Sequence, residues 1–419
     1  MTESANAPAQ TGLAGFSRVD GRAAAALAAD FARRTGPASG LLVGVSGPSE
    51  VLSAAIEALG AGGELTVVAG SASDEVRAHV AAASALVDAR VRVVESLAEA
   101  DPADAVIVAE PLRGSAESAR AEIDGLAKQL TAGGVLSLAV PAAEFLAGPA
   151  GAEVARYADS HGIGSDLVLL NPPPLRVHRL RFTAADPALA ESLAPLARTS
   201  SVKLSRTMNI DSNGVAAAAI SLGAAALIRS VRPRSRAWLL PALAAGPVAA
   251  FFRDPQRDVP ADPSAVVAAS DGKVLSVERL HDDKLGTWGD QEYLRIAVFL
   301  SVLDVHVNRA PVAGRVADQF VVDGGFAAAM KPEAEHNVAA YTVLDTTRGR
   351  VVVAQRTGLI ARRIVHRAPV GALLAKGERF GLIRFGSRTD VYLPADLATA
   401  EVAVGDRVVG GETVIARWI

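Results

Sequence analysis

The sequence predicts an α/β N-terminal domain and a β-rich C-terminal domain joined by an apolar helical hairpin. Three observations carry this. From Gly40 to Phe182, short apolar runs alternate with helical stretches, the pattern of a parallel, doubly wound sheet. Between 213 and 252, two alanine-rich, nearly uncharged segments bracket Arg229, Arg232, Arg234 and Arg236. From Phe251 onward, β-branched runs are separated by turn residues, which reads as a barrel or sandwich.

At 419 residues the chain is long enough for two or three domains. Half of it is hydrophobic, but only 4% is aromatic, and alanine is abundant, which suits close packing of small side chains. A net charge of -3 gives no global attraction for nucleic acid. The absence of cysteine excludes disulfides, thiolate nucleophiles and cysteine–metal sites, and no metal is expected elsewhere. Residues 1–20 begin small and polar and are expected to be disordered. They lack the charged start and apolar run of a secretory signal, so the expected location is the cytoplasmic side.

In the first part, assigned to residues 21–185, the predicted strands are 41–45, 65–69, 91–94, 104–109 and 135–140. Gly47-Pro48-Ser49-Glu50 turns into a helix ending near Leu59, and a second helix runs from about Ala116 to Leu130. This Rossmann-like order, with a glycine-rich turn after the first strand and Gly133-Gly134 before a later one, resembles a class I S-adenosylmethionine-dependent methyltransferase. The nucleotide-binding details depart from that family. Val43 stands at its acidic position, and Val45 and Ser49 stand where it has glycines. The second strand runs into Ala69-Gly70-Ser71, with no carboxylate until Asp74 to hold a ribose. S-adenosylmethionine binding is therefore not expected, and the domain reads as structural or docking.

Residues 186–250 read as a linker followed by the hairpin. Val215–Ile228 and Trp238–Phe252 are each shorter than the roughly 20 apolar residues a membrane-spanning helix needs, and the second contains Pro241 and Pro247. One reading is a buried hairpin. The favoured one is a hairpin dipping into one leaflet with its arginines at anionic headgroups.

Residues 251–419 carry a series of motifs: Phe251-Phe252-Arg253-Asp254-Pro255, Ser270-Asp271-Gly272-Lys273-Val274, Phe299-Leu300-Ser301 and Asp304-Val305-His306-Val307-Asn308-Arg309-Ala310-Pro311. Gly358-Leu359-Ile360-Ala361-Arg362-Arg363-Ile364, Lys376-Gly377-Glu378-Arg379-Phe380-Gly381 and Ile383-Arg384-Phe385-Gly386-Ser387-Arg388 follow. In this order they resemble the phosphatidylserine decarboxylase proenzymes of the shorter prokaryotic subclass. The resemblance implies self-cleavage between Gly386 and Ser387. The serine hydroxyl attacks the Gly386 carbonyl, the ester eliminates to dehydroalanine, and hydrolysis leaves a pyruvoyl group, the covalent cofactor, at position 387. That ketone condenses with a substrate amine to a Schiff base and accepts the electrons released with carbon dioxide. The glycine offers an unshielded carbonyl, and the serine a β-oxygen that is first nucleophile and then leaving group.

His306 and Asp271 are the acid–base candidates, with the carboxylate fixing the imidazole tautomer as in a Ser-His-Asp triad. On the residues alone, Asp271 reads equally as a turn residue and His306 as a structural strand histidine. Longer relatives carry a second histidine where this chain has Arg309, which cannot serve as a base. Arg309, Asn308 and Arg388 are candidate substrate contacts, His366 is an alternative base read as structural, and Asp304 is a structural hydrogen-bond partner. Glu335-His336-Asn337 stands where the subclass carries Asn-Glu-Arg, which makes His336 a minor candidate. The implied partners are phosphatidylserine, an anionic membrane surface and the two self-cleavage chains, which stay associated; a homodimer is open. The expected location is peripheral at the cell membrane. The alternatives are a pyruvoyl decarboxylase of another amine-bearing acid, a bifunctional decarboxylase–methyltransferase and an uncut scaffold.

Overall fold

The computed structural model describes residues 18–83, 90–196, 202–359, 363–383 and 387–419. Chain contacts divide it into a unit that ends at Phe182 and a second that runs from Thr183 to Ile419 and includes Arg33–Thr35.

The first unit is built on seven strands: β1 (Ser39–Val43), β2 (Glu64–Val68), β3 (Val91–Val94), β4 (Ala103–Val108), β5 (Leu130–Pro141), β6 (Gly162–Val168) and β7 (Leu175–Leu180). Their order across the sheet is β3-β2-β1-β4-β5-β7-β6. β1 through β5 pair in parallel, as expected for apolar strands buried on both faces. The last two correct the expectation of a wholly parallel sheet, because β7 runs antiparallel to both β5 and β6. Cores lie on both faces, one around Leu27, Leu52 and Val67 and the other around Val106, Ile123 and Leu138. At the turn after β1, Ser49 is the N-cap of helix Glu50–Glu57, its side chain accepting a hydrogen bond from the Leu52 amide at 3.2 Å. A serine where the resembling family has a glycine thus has a structural role here, satisfying an orphan donor of the first helical turn.

The second unit begins with a small sheet of β8 (Val202–Lys203), β9 (Met208–Ile210) and β10 (Arg253–Pro255), ordered β10-β9-β8. Between β9 and β10 run the helices Ser212–Val231 and Leu239–Phe251, which pack on each other. The first is longer than the sequence predicts. Asp211 caps its start, accepting from the Asn213 amide at 2.9 Å, and Arg229 complements the dipole of its last turn. At 20 residues it is about 30 Å long and passes the length and composition test for crossing a membrane. Only Gly214 and Ala225 along it are buried, so it is not a core helix of this chain. The second helix is not broken by its prolines. Pro241 sits in the first turn, where its missing N–H has no intrahelical partner to lose, and the helix runs through Pro247 to Phe251. The Arg229 guanidinium lies 4.9 Å from the Trp238 ring centroid and ties the two helices at their turn.

The remaining strands are β11 (Ala265–Val267), β12 (Gly272–Leu280), β13 (Tyr293–Leu300), β14 (Val307–Arg309), β15 (Gly314–Val322), β16 (Ala339–Thr346), β17 (Gly349–Arg356) and β18 (Ile364–His366). β19 (Leu373–Leu374), β20 (Arg379–Ile383), β21 (Ser387–Pro394), β22 (Ala398–Ala400), β23 (Arg407–Val408) and β24 (Val414–Trp418) complete the chain. An eight-stranded antiparallel sheet runs β19-β15-β16-β17-β21-β13-β12-β23, with three-stranded sheets β11-β24-β22 and β14-β20-β18 beside it. β21 is central, paired from Ser387 to Pro394 with β13 and from Arg388 to Tyr392 with β17.

Replacing Ser49 by alanine should lower the unfolding free energy by about 1 kcal/mol, measured by urea denaturation of the wild type and the variant.

Candidate active site

Ser387 is the first residue of β21, wholly buried and directly opposite Leu300 of β13. Its Oγ has no hydrogen-bond partner among the described residues. A buried hydroxyl left unpaired costs free energy, so an orphan at this position calls for a chemical explanation. Gly386, the other half of the expected cleavage site, lies outside the described residues, as do Arg384 and Phe385.

Strand alternation sorts the neighbours. Thr389 shares the face of Ser387, and its Oγ1 lies 2.7 Å from Ser270 Oγ. Gln355, opposite Thr389 on β17, projects to the same side and donates from Nε2 to Asn308 Oδ1 at 2.7 Å. That single bond leaves Asn308 Nδ2 and Gln355 Oε1 buried without partners among the described residues. One donor and one acceptor are thus available to a polar molecule on the Ser387 face. Asn308 is an expected site residue, whereas Gln355 is not. Its sequence signal is a lone amide ending the apolar run Val351-Val352-Val353-Ala354.

His306 is 2% exposed and lies just before β14, its carbonyl accepting from the Ile383 amide at 3.2 Å. Four positions along the chain from that contact is Ser387. His306 Nδ1 is 2.9 Å from the Asp304 carbonyl oxygen. A carbonyl only accepts, so Nδ1 carries the proton and Nε2 is the basic nitrogen. Burial pushes the imidazole down to about 4; the Asp304 hydrogen bond and charge oppose this, Arg253 adds to it, and Asp271 opposes it. The ring is therefore neutral at neutral pH.

Asp271 acts on His306 through its charge, and the expected tautomer-fixing contact is made instead by the Asp304 backbone. The Asp271 carboxylate is held by Arg257 Nη2 at 2.9 and 2.8 Å and by the Gly410 amide at 2.8 Å. Next to it, Gly272 has φ +152°, and a Cβ there would lie 2.1 Å from the Phe299 carbonyl oxygen, so only glycine lets the Ser-Asp-Gly turn enter β12 so close to β13.

Two expected substrate contacts are corrected. Arg309 points into the protein, bonding Gly377 O at 3.0 Å, Asp254 Oδ1 at 3.0 Å and Pro255 O at 2.8 Å. Its guanidinium balances the buried Asp254 carboxylate. Arg388 projects to the opposite face of β21 from Ser387, because neighbouring residues of a strand alternate. There it bonds Asp390 Oδ1 at 2.5 Å and Glu335 Oε1 at 3.0 Å. Asp390 also accepts from Arg356 Nε at 2.7 Å, and Arg356 Nη2 lies 3.1 Å from both the Tyr341 and the Tyr392 hydroxyls. Burial by itself would raise the Asp390 carboxyl, but Arg388 and Arg356 more than offset it and hold it below its ordinary value. Glu335, from the expected Asn-Glu-Arg region, belongs to this cluster. His336 is exposed, and Asn337 bonds the Ala327 and Thr357 backbone. His366 sits on β18, across Gly381 from Asn308, and burial lowers its imidazole.

The end of the second apolar helix reaches this site. The Phe251 ring lies 4.3 Å, centroid to centroid, from the His306 ring, and Phe251 and Phe252 cluster with Leu382.

Residues 246–416 match the model of the phosphatidylserine decarboxylase family. The phosphatidylserine decarboxylase proenzyme of Geotalea uraniireducens is 46% identical over 167 residues, which cover 39% of this chain and 76% of that protein. The one from Symbiobacterium thermophilum is 48% identical over 187 residues, covering 43% and 84%. Among solved structures, a precorrin-6y C5,15-methyltransferase from Geobacter metallireducens is 16% identical and covers 38% of this chain and 88% of its own, with a TM-score of 0.29. An O-methyltransferase from Bacillus cereus is 15% identical and covers 38% and 80%, with a TM-score of 0.28. The C-terminal unit, with a wholly buried serine opening a central strand, is by its relatives placed among the carboxy-lyases. The chain belongs to the phosphatidylserine decarboxylase proenzyme family.

Removing Asp390 leaves Arg356 without its carboxylate and Arg388 with Glu335 alone. Asp390→Ala should cost about 3–5 kcal/mol in guanidinium chloride unfolding. The pair Arg356→Met, Asp390→Leu should cost less than Asp390→Ala alone, because less charge is then stranded.

Proposed function

We propose that this chain cleaves itself at Gly386–Ser387 and then decarboxylates phosphatidylserine to phosphatidylethanolamine and carbon dioxide. The observation that carries this is the orphaned, wholly buried Ser387 hydroxyl at the head of a strand paired on both edges. His306 is the base for the serine proton. Its Nε2 is the unprotonated nitrogen, and its neutral state keeps that nitrogen basic. Asp271 and the Asp304 carbonyl oppose the loss of basicity that burial imposes. The acyl group moves from the Ser387 nitrogen to its oxygen. Elimination then releases the Gly386 carboxylate, and hydrolysis of dehydroalanine releases ammonia. The pyruvoyl ketone so formed supplies the electron sink for loss of carbon dioxide.

The other roles belong to the chain's own side chains. Asn308 Nδ2 and Gln355 Oε1 offer a donor and an acceptor to the serine headgroup. His306 Nε2 takes the proton that the substrate ammonium gives up on forming the Schiff base and returns it to the decarboxylated carbon. After the cut, β21 keeps its ladders to β13 and β17 and its ion pairs to Arg356 and Glu335, which supports a small chain that stays bound. The two apolar helices, with Ile220, Leu227, Leu240 and Leu243 well exposed, support membrane contact, with the arginines between them at anionic headgroups. Because the second helix ends on His306, a lipid has a short path from bilayer to site. We place the enzyme peripherally on the cytoplasmic face, with the N-terminal unit as a docking or structural domain.

Intact-mass measurement should give two fragments for wild type, the smaller beginning at position 387 and blocked to Edman degradation, and one full-length chain for Ser387→Ala. An uncut, active wild type would overturn the proposal. Self-cleavage rates should report the lowered imidazole. The neutral base persists above its pKa, so the rate should stay flat as pH falls through about 6.5, the ordinary histidine value, and decline only on approaching about 4. An inflection near that ordinary value would remove His306 as the base.

A further inference from the structure

The turn Ser301–Asp304 is built to hold two residues outward. Asp304 Oδ2 accepts from the Ser301 amide at 2.8 Å and from the Ser301 hydroxyl at 2.7 Å, closing the turn on itself. Val302 and Leu303 stand at its tip, 50% and 83% exposed. Leu303 is among the most exposed large apolar side chains of the chain's described residues. The same turn carries the backbone carbonyl that bonds His306 Nδ1. Arg253, two residues beyond the second apolar helix, donates to the Leu303 carbonyl, so the turn is braced to the foot of that helix.

Charge fits the same direction. Arg407 Nη2 donates to Asp304 Oδ1 at 3.0 Å, and the Arg407 side chain is itself largely exposed. The acidic residue of the turn is therefore covered by a cation, with Arg253 a second beside it. An apolar tip flanked by arginines has the composition of a segment that seats in an anionic bilayer surface.

We infer that Val302 and Leu303 form a lip that inserts into anionic phospholipid bilayer, a second membrane contact that is separate in sequence from the two apolar helices and covalently continuous with the turn holding His306. Seated in this way, the lip and the foot of the second helix bring the bilayer to the entrance of the Ser387 face from two sides. This deepens the proposed membrane activity and rests on it.

The test uses the full self-processed protein with phosphatidylcholine vesicles containing phosphatidylglycerol. Leu303→Trp reports insertion directly. Its emission, taken as the difference from wild type with Trp238, Trp288 and Trp418, should shift to the blue on adding vesicles and be quenched by lipids brominated on their acyl chains. Leu303→Asp should weaken vesicle co-sedimentation by about tenfold, the scale expected from losing one buried leucine, while Leu303→Met retains it. It should also lower the ratio of activity on vesicle phosphatidylserine to activity on a short-chain, monomeric phosphatidylserine. An unshifted, unquenched signal from the introduced indole on protein that has bound vesicles, or co-sedimentation of Leu303→Asp equal to wild type, would overturn the lip. Failure of the underlying reading looks different: wild type would then decarboxylate neither form of phosphatidylserine, or would not bind vesicles at all.

Discussion

The head of β21 is held from one face by a buried ion cluster. Asp390, fully buried, sits between Arg356 and Arg388, and Arg388 reaches on to Glu335, which also holds Arg295 at 2.8 Å. Buried ion clusters are seldom the cheapest way to stabilise a core, because desolvation consumes much of the Coulombic gain. What this one provides is position. It clamps one face of the strand while the other face carries Ser387 and Thr389, so the serine is held by groups that take no part in its chemistry. Two ladders and three arginines hold this strand in place independently of the chain that leads into it.

The other face is sparing with partners. Ser387 Oγ, Asn308 Nδ2 and Gln355 Oε1 are all buried and unpaired among the described residues. A face of paired charges and a face with unpaired polar groups thus lie one residue apart along the same strand. His306 precedes β14, the strand that carries Asn308. Its burial costs basicity, and a backbone carbonyl with two carboxylates nearby returns part of it.

Much of this was legible in the residues. The β-rich second half follows from its β-branched runs and turn residues, and the candidacy of Ser387 and His306 from the ordered motifs and the family resemblance they carry. The stretch Ser387-Arg388-Thr389-Asp390 does not read as strand, since four polar residues in a row resemble a loop. It is strand because both its faces are covered, one by an ion cluster and one by hydroxyl and amide groups from β17 and the turn before β12. Arg309 and Arg388 read as ligand contacts because arginine matches carboxylate and phosphate. Their actual partners, Asp254, Asp390 and Glu335, are picked out by folding and by nothing in the local sequence. Gln355 escapes a sequence reading because nothing local distinguishes an amide that faces an active site from one that faces water. The first apolar helix is underestimated because its polar first turn and Arg229 lie within the helix.

The sequence alone determined the class of both domains, because periodicity is a local property, and its ordered motifs, through the family resemblance they carry, singled out Ser387 and His306 as candidates. Tertiary structure decided which face each side chain occupies, which carboxylate answers which arginine, and that a backbone carbonyl, where a carboxylate was expected, sets the His306 tautomer. Those outcomes depend on register between strands far apart along the chain, and register is fixed only when the whole sheet closes.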